Sequence, residues 1–273
     1  MFSFLRYIKS IFPRRLDPIW LLLGSIYRYF IKKLNINFYV NQKISTYGPF
    51  KLHCFFAFSN FRSWGSEKKS IFPLMMDKSK NKKCIVDIGA HIGLMTLPLS
   101  LKVKKDAKII LFEPSDINRK FLKLHMLKNK IRNVDIIDKI VGNKVTKDVL
   151  FYESNEPTGM NSIIKFEKKV LFKKKLKEQV SLDSYFEKKK YKPDLIKIDA
   201  EGSELYILKG SIKTILKHKP DIFLSIHKKH FKLLGIQISE FLSFLKKINY
   251  NIKDSSGIFS NNLDSKEYYL YSK

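Results

Sequence analysis

Three carboxylates stand where short apolar runs end or turn polar: Asp87 in Cys84–Ile88, Glu113 after Lys108–Phe112, and Asp199 closing 194–199. In an open α/β sheet, ligands bind beyond the carboxyl ends of the strands, where the strand order reverses. Acids at three such ends would therefore converge on one crevice. Between the first two lies the loop Asp87-Ile88-Gly89-Ala90-His91-Ile92-Gly93. Its two glycines permit a tight turn and close approach of a ligand to backbone. The spacing is G-x-x-x-G, which is not the G-x-G-x-x-G of dinucleotide sites. Glu113 follows Gly89 by 24 residues (113 − 89), the interval at which an acid accepts the ribose hydroxyls of a nucleoside. Asp87, Gly89, Ala90, His91, Gly93, Glu113 and Asp199 form the expected cofactor-binding set.

The stretch Asp199-Ala200-Glu201-Gly202-Ser203-Glu204 adds further acids at the same edge. A carboxylate there can pair with a cationic ligand or take a proton. Asp199, Glu201 and His227, which follows the run 221–226, are the candidate catalytic residues. Glu204 is read as an acid in a helix first turn, favoured by the macrodipole. A set of Asp, Glu and His side chains can hold a divalent ion, but the spacing demands none, and no metal ligands are assigned.

The elements that must position these groups follow from Cys84 onward. Strands at 84–88, 108–112, 134–141, 194–199 and 221–226 alternate with helices at 93–102, 115–127, 203–217 and 239–248, as in parallel α/β units. A short strand near Asn251 and a last one at 268–271 complete the series. Residues 145–182 break the rhythm with strand-like runs at 149–152, 162–164 and 179–182, an antiparallel insertion that either holds or covers a substrate or is a structural hairpin extending the sheet. The chain divides into a basic, aromatic-rich N-terminal extension, 1–80, of helical character, and a ligand-binding α/β domain, 81–273.

The 53 basic and 25 acidic residues leave a net charge of +28, a sign that attracts phosphates in nucleic acid, anionic lipid or acidic glycans. Most of the excess is lysine spread over nearly every segment, which reads as a solvated surface before a dedicated patch. Residues 2–15 interleave Phe, Leu, Ile and Tyr with Arg6, Lys9, Arg14 and Arg15, and an apolar block at 19–23 follows. This segment reads either as an arm packed on the domain or as a basic amphipathic segment lying on an anionic membrane. It is too short to span and lacks a signal-peptide cleavage pattern. Two cysteines, Cys54 and Cys84, are too few for a disulfide scaffold and read as thiols of a reducing, cytoplasmic compartment.

Residues 85–94 resemble the D-x-G-A-N-x-G loop of FkbM-type methyltransferases. Phe112-Glu113-Pro114, Gly159-Met160-Asn161-Ser162, Ser181-Leu182-Asp183 and the stretch 194–202 resemble further blocks of that family in the same order. The resemblance implies a class I (Rossmann-like) fold with a mostly parallel seven-stranded sheet between helices. It also implies S-adenosyl-L-methionine as donor and O-methylation of a sugar, glycan or natural-product-like acceptor. Two positions depart from the pattern: His91 replaces the usual Asn, and Ser225-Ile226-His227 stands where many members carry an acid. Competing readings are a nucleic-acid methyltransferase and a membrane-surface adaptor with a degenerate domain. The Asp199-Ala200-Glu201-Gly202 block lacks the Pro-Pro-aromatic signature used on exocyclic amines, so nucleic acid is disfavoured.

Overall fold

The computed structural model describes residues 17–65, 70–165, 172–258, 263–264 and 266–273. The basic aromatic run at 2–15 lies outside the described residues. Helix α1 (Asp17–Lys33) is followed by an antiparallel hairpin, β1 (Tyr39–Ile44) and β2 (Tyr47–His53), and by helix α2 (Phe72–Ser79). The extension is thus helical at first, but the hairpin departs from the expectation. Strand β1 alternates buried Val40, Gln42 and Ile44 with exposed Asn41 and Lys43, a period-2 signal that the polar Gln42 at a buried position obscures.

The central sheet begins with β3 (Cys84–Ile88), which is buried throughout, and continues through α3 (Thr96–Ser100), β4 (Lys108–Phe112), α4 (Asp116–Lys128) and β5 (Val134–Ile137). Ser115 caps α4, its hydroxyl accepting the Asn118 amide at 3.2 Å. The run 134–141 is not one strand. The chain leaves the large sheet after Ile137, and β6 (Ile140–Val141) joins a second sheet, parallel to β8 (Phe172–Val180), which pairs antiparallel with β7 (Thr146–Ser154). The expected strand at 162–164 is reduced to one bridge, Tyr152 to Ser162. That expected at 179–182 ends at Val180, because Ser181 caps α5 (Leu182–Glu187).

Strand β9 (Leu195–Ile198) then leads to α6 (Glu204–Lys209) and α7 (Ile212–His218). The helix expected over 203–217 is broken at Gly210, where the backbone passes so close to the Gly142 carbonyl that a Cβ would lie 2.0 Å from its oxygen. The chain finishes with β10 (Asp221–Ser225), α8 (Lys228–Leu233), α9 (Ile238–Lys247), β11 (Tyr250–Lys253) and β12 (Glu267–Ser272). The seven-stranded sheet has the order β11-β12-β10-β9-β3-β4-β5, with β12 antiparallel to both neighbours and the pairings from β10 to β5 parallel. From β3 the chain moves outward through β4 and β5, then returns to the other side of β3 with β9. The switch point therefore falls between β3 and β9, and the loops after these strands lie side by side.

Alternation along β3 and β4 sends side chains to opposite faces. Val86, Ile88, Ile110 and Phe112 pack with Leu182, Leu205, Leu208 and Phe241 on one side. Ile85, Ile109 and Leu111 pack with Leu97, Phe121, Leu122 and Met126 on the other. Helices therefore cover both faces, as a parallel sheet requires. Leu101, Leu127 and Leu216, apolar residues within the helices expected at 93–102, 115–127 and 203–217, are exposed. Leu101 lies past the end of α3, and Leu127 and Leu216 stand one position beyond the buried stripe.

The second core continues across residue 80. Ile44, Phe50, Leu52, Phe72, Met75 and Met76 belong to the same cluster as Ile85 and Leu111. Phe72, only 2% exposed, therefore carries the stability of the whole domain. Phe72→Ala is expected to cost about 3–5 kcal/mol in urea denaturation followed by circular dichroism, whereas a side chain on a detachable arm would cost little.

Candidate active site

The loop after β3 is held from beneath by a buried ion pair. Asp87, in the middle of an apolar strand and fully buried, accepts a hydrogen bond from Thr96 Oγ1 at 3.1 Å. Its Oδ1 lies 3.2 Å from Lys197 Nζ on β9. Lys197 also donates to the Gly89 carbonyl at 3.1 Å and stands 3.7 Å from Asp199 Oδ2. Burial works against the ammonium, but the charges of Asp87 and Asp199 outweigh it and raise the lysine pKa. Removing one partner of such a pair leaves a buried charge uncompensated, at a cost of about 3–5 kcal/mol.

Above this pair the backbone turns sharply. Gly89 has φ +79°, and a Cβ there would lie 1.9 Å from the carbonyl oxygen of Asp199. The glycine thus serves first the contact between the loops after β3 and β9. His91 also adopts a left-handed conformation, φ +52°, a region in which Asn, Asp and His are enriched among non-glycine residues. That conformational demand accounts for His in a position where Asn is usual. Burial lowers the His91 pKa to about 4, keeping the ring neutral, and its Nε2 is buried without a hydrogen-bond partner among the described residues.

Glu113, at the end of β4, faces this turn. Oε2 accepts the His91 amide at 2.7 Å and Oε1 the Ser115 amide at 2.9 Å. Burial raises its pKa to about 7 against these hydrogen bonds. Oε1 also accepts from Asn118 Nδ2 at 3.4 Å; of a carboxylate's roughly four lone-pair directions, three are met and one is left for a hydroxyl group.

A cluster of acids and imidazoles stands across the switch point. Glu201 is left-handed, φ +50°, and its carbonyl accepts the Ser162 hydroxyl at 3.0 Å. His227 Nδ1 bonds Glu204 Oε1 at 2.7 Å, while Nε2 lies 3.6 Å from both Asp199 Oδ1 and Glu201 Oε1. His230 Nδ1 is 3.3 Å from Glu201 Oε2, and the two imidazoles stack with centroids 5.3 Å apart. Burial alone would lower the His227 pKa, but the hydrogen bond to Glu204 and the charges of Glu204, Asp199 and Glu201 raise it to about 9. Burial, opposed by His227 and aided by Asp199 and Glu204, raises the Glu201 pKa to about 7.

A cavity of about 300 Å³ joins the two groups. Gly89, Ala90, His91, Glu113, Asp199 and Glu201 line it; Asp87 and Gly93 do not. Asp87 pairs with Lys197 beneath the loop, and Gly93 packs toward Leu122 and Met126 of α4. His227 stands just behind Asp199 and Glu201. The insertion contributes Phe151, Gly159, Asn161 and Ser162, and the segment before α2 contributes Trp64.

Three residues escaped the sequence reading. Lys197 had a signal, a lysine inside an otherwise apolar buried strand, which must find a partner. Glu204 is not a solvent-facing first-turn acid: it is fully buried and bonded to His227. His230 is placed by α8, whose first turn could have suggested a partner three residues after His227.

The left-handed conformation at 91 yields a direct test. His91→Asn is expected to preserve the thermal midpoint, whereas His91→Val, β-branched at positive φ, is expected to lose about 1–2 kcal/mol in calorimetric unfolding.

Comparison with known proteins agrees with this geometry. The family model described as the methyltransferase FkbM domain matches residues 87–252, from β3 to β11 and more than half of the chain. Among solved structures, a methyltransferase FkbM from Methylobacillus flagellatus KT is 22% identical, with a TM-score of 0.46, over 70% of this chain and 43% of that one. This chain therefore spans less than half of that protein's length. A SAM-dependent O-methyltransferase from Thermotoga maritima is 12% identical, with a TM-score of 0.41, over 74% of this chain and 63% of its own. A putative methyltransferase from Streptococcus mutans, in complex with SAH, is 11% identical, with a TM-score of 0.41, over 72% and 94%. No curated protein matches. The seven-stranded sheet is the class I, Rossmann-like arrangement, and the chain belongs to the FkbM methyltransferase domain family.

Proposed function

We propose that this protein transfers the methyl group of S-adenosylmethionine to a hydroxyl of a small molecule, a sugar, glycan or natural-product-like acceptor. The observation that carries this reading is a single cavity with Glu113 and the Gly89–His91 turn at one side and Asp199 and Glu201 at the other. The donor, when bound, supplies a sulfonium methyl that an oxygen displaces in line, leaving a neutral thioether. Glu113 keeps one acceptor direction for a ribose hydroxyl, and His91 Nε2, without a hydrogen-bond partner among the described residues, is a buried polar atom that a ligand would satisfy.

Asp199 and Glu201 hold the acceptor's hydroxyl and take its proton. A carboxyl near pKa 7, as at Glu201, is poised for that transfer at neutral pH. His227, with a pKa near 9, is an imidazolium at neutral pH. In that state it orients the two carboxylates, so its place in the candidate set is that of a positioning residue. The insertion, through Phe151 and Asn161, supplies the wall against which an acceptor is selected.

A second feature bears on where the reaction occurs. One face of α1, with Gly24 and Ile31, packs on the domain, and the Tyr27 hydroxyl donates to the Cys54 carbonyl at 3.0 Å. The opposite face presents Ile19, Leu22, Leu23, Ile26 and Phe30 to solvent, each at least 44% exposed. Lys32 and Lys33 follow in the last turn. Among the described residues no helix is long and apolar enough to cross a membrane. An outward apolar face beside basic residues suits shallow insertion into an anionic bilayer surface, so we place the protein peripherally on the cytoplasmic side of a membrane.

Glu113→Ala is expected to weaken S-adenosylmethionine binding at least tenfold in calorimetry while the circular dichroism spectrum is retained; unchanged affinity would remove the ribose assignment. Incubation with labelled donor and fractionated glycans, lipids, small molecules and RNA should place the label on a hydroxyl, and label on RNA bases would overturn the acceptor class. For the surface assignment, Leu22→Glu with Ile26→Glu should abolish co-sedimentation with phosphatidylserine vesicles without changing the thermal midpoint. Equal sedimentation of the wild type and the double variant would exclude α1 as the contact.

A further inference from the structure

We propose that Glu201, which lines the cavity, and His227 and His230 behind it form a site for one divalent transition-metal cation. One atom from each of the three side chains can be chosen so that all lie within 4.8 Å of one another. The carboxylate stands between the rings, with Oε1 3.6 Å from His227 Nε2 and Oε2 3.3 Å from His230 Nδ1. Donors bound to one ion at its usual bond lengths of about 2.0–2.2 Å lie roughly 3–3.5 Å apart. The two carboxylate–imidazole separations are close to that spacing, and the three donors as a set lie within 4.8 Å of one another.

The surroundings resemble a built site. The other ring nitrogen of His227 is held by Glu204 Oε1 at 2.7 Å, the arrangement that fixes the tautomer and raises the basicity of a ligating imidazole. Glu204 is itself fully buried, accepts the Gly202 amide at 3.0 Å, and its Oε2 has no hydrogen-bond partner among the described residues. The loop and α8 are pressed together: a Cβ at Gly202 would lie 2.7 Å from His230 Cβ. That contact fixes Glu201 and His230 relative to each other. Asp199, Glu201 and Glu204 gather three carboxylates around His227, and the nearest lysine, Lys197, is closer to Asp87 than to Asp199. A divalent cation meets that surplus of negative charge and takes the place of the Nε2 proton that His227 carries in the metal-free protein.

Two imidazoles and one carboxylate suit Mn²⁺, Fe²⁺, Co²⁺ or Zn²⁺ rather than Mg²⁺ or Ca²⁺, and three protein ligands leave positions open for an oxygen of the acceptor. On the methyl-transfer reading, which this consequence rests on, a hydroxyl bound there loses its proton more readily. The proton passes to Asp199, the oxygen forms its bond to the methyl carbon, and the carbon–sulfur electron pair stays on sulfur.

The full-length protein, stripped with a chelator, should be titrated with Mn²⁺, Zn²⁺ and Co²⁺ by calorimetry, with the visible absorption of Co²⁺ as a signature of coordination. One ion per chain is expected, with affinity lowered at least tenfold by His230→Gln and by Glu201→Gln. Absence of saturable binding by the wild type, or equal affinity in both variants, would overturn the site. S-adenosylmethionine binding measured on the same stripped protein separates the two readings. Donor binding with full methyl transfer after stripping overturns the metal's part in the reaction and keeps the methyltransferase. Metal binding without any donor binding does the reverse.

Discussion

The pair formed by Asp87 and Lys197 sets the geometry on which the site depends. Each is a charged side chain inside a short apolar strand, and each would be intolerable there without the other. Because the partners lie on adjacent strands, β3 and β9, the pair spans the point where the chain reverses its direction across the sheet. Lys197 also reaches the Gly89 carbonyl and approaches Asp199, so one ammonium group ties together both loops that face the cavity. The close packing of Gly89 on the Asp199 carbonyl follows from this tie. Glu113 and Asp199, on the two sides of this tie, line one cavity.

The insertion is integrated into the same construction. Glu153 on β7 accepts from the Ser115 hydroxyl and the Ile117 amide at the start of α4, and Lys175 and Lys177 on β8 bond Asp116. Acceptors at a helix N-terminus meet its unpaired amides, so the capped start of α4 anchors the hairpin. Asn118 and Thr158 exchange hydrogen bonds, and Ser162 fixes the Glu201 carbonyl. Through these ties the chain that covers the cavity also sets the left-handed conformation at Glu201. Strain at such a position is held by the surroundings that over-determine it.

The electrostatics divide the cavity into two regimes. At the Glu113 end, burial keeps His91 neutral and brings Glu113 close to neutrality. At the Glu201 end, three carboxylates hold His227 charged, and Glu201 stands near its titration point. Two regions of one pocket thus differ in charge because their buried partners differ.

The parallel strands and their acids were legible in the sequence because buried strands are continuous apolar runs, and Asp87, Glu113 and Asp199 interrupt or close them. The loop glycines and the family blocks pointed to the turn after β3, because glycines at fixed spacing are a local signal. The hairpin at 39–53, the break at Gly210 and the division of 134–141 were not legible, since each answers to a neighbour distant in sequence. His230 and Glu204 belong to that class: local pattern gives a helix start and a first-turn acid, while the packing of α8 on the Gly202 turn makes them partners of His227 and Glu201. The sequence by itself determined which strand ends carry acids, because period and composition are local. Only the tertiary structure decided which of those groups face the cavity and which, like Asp87, are spent beneath it, because burial and pairing are set by strands and helices that meet only when the chain folds.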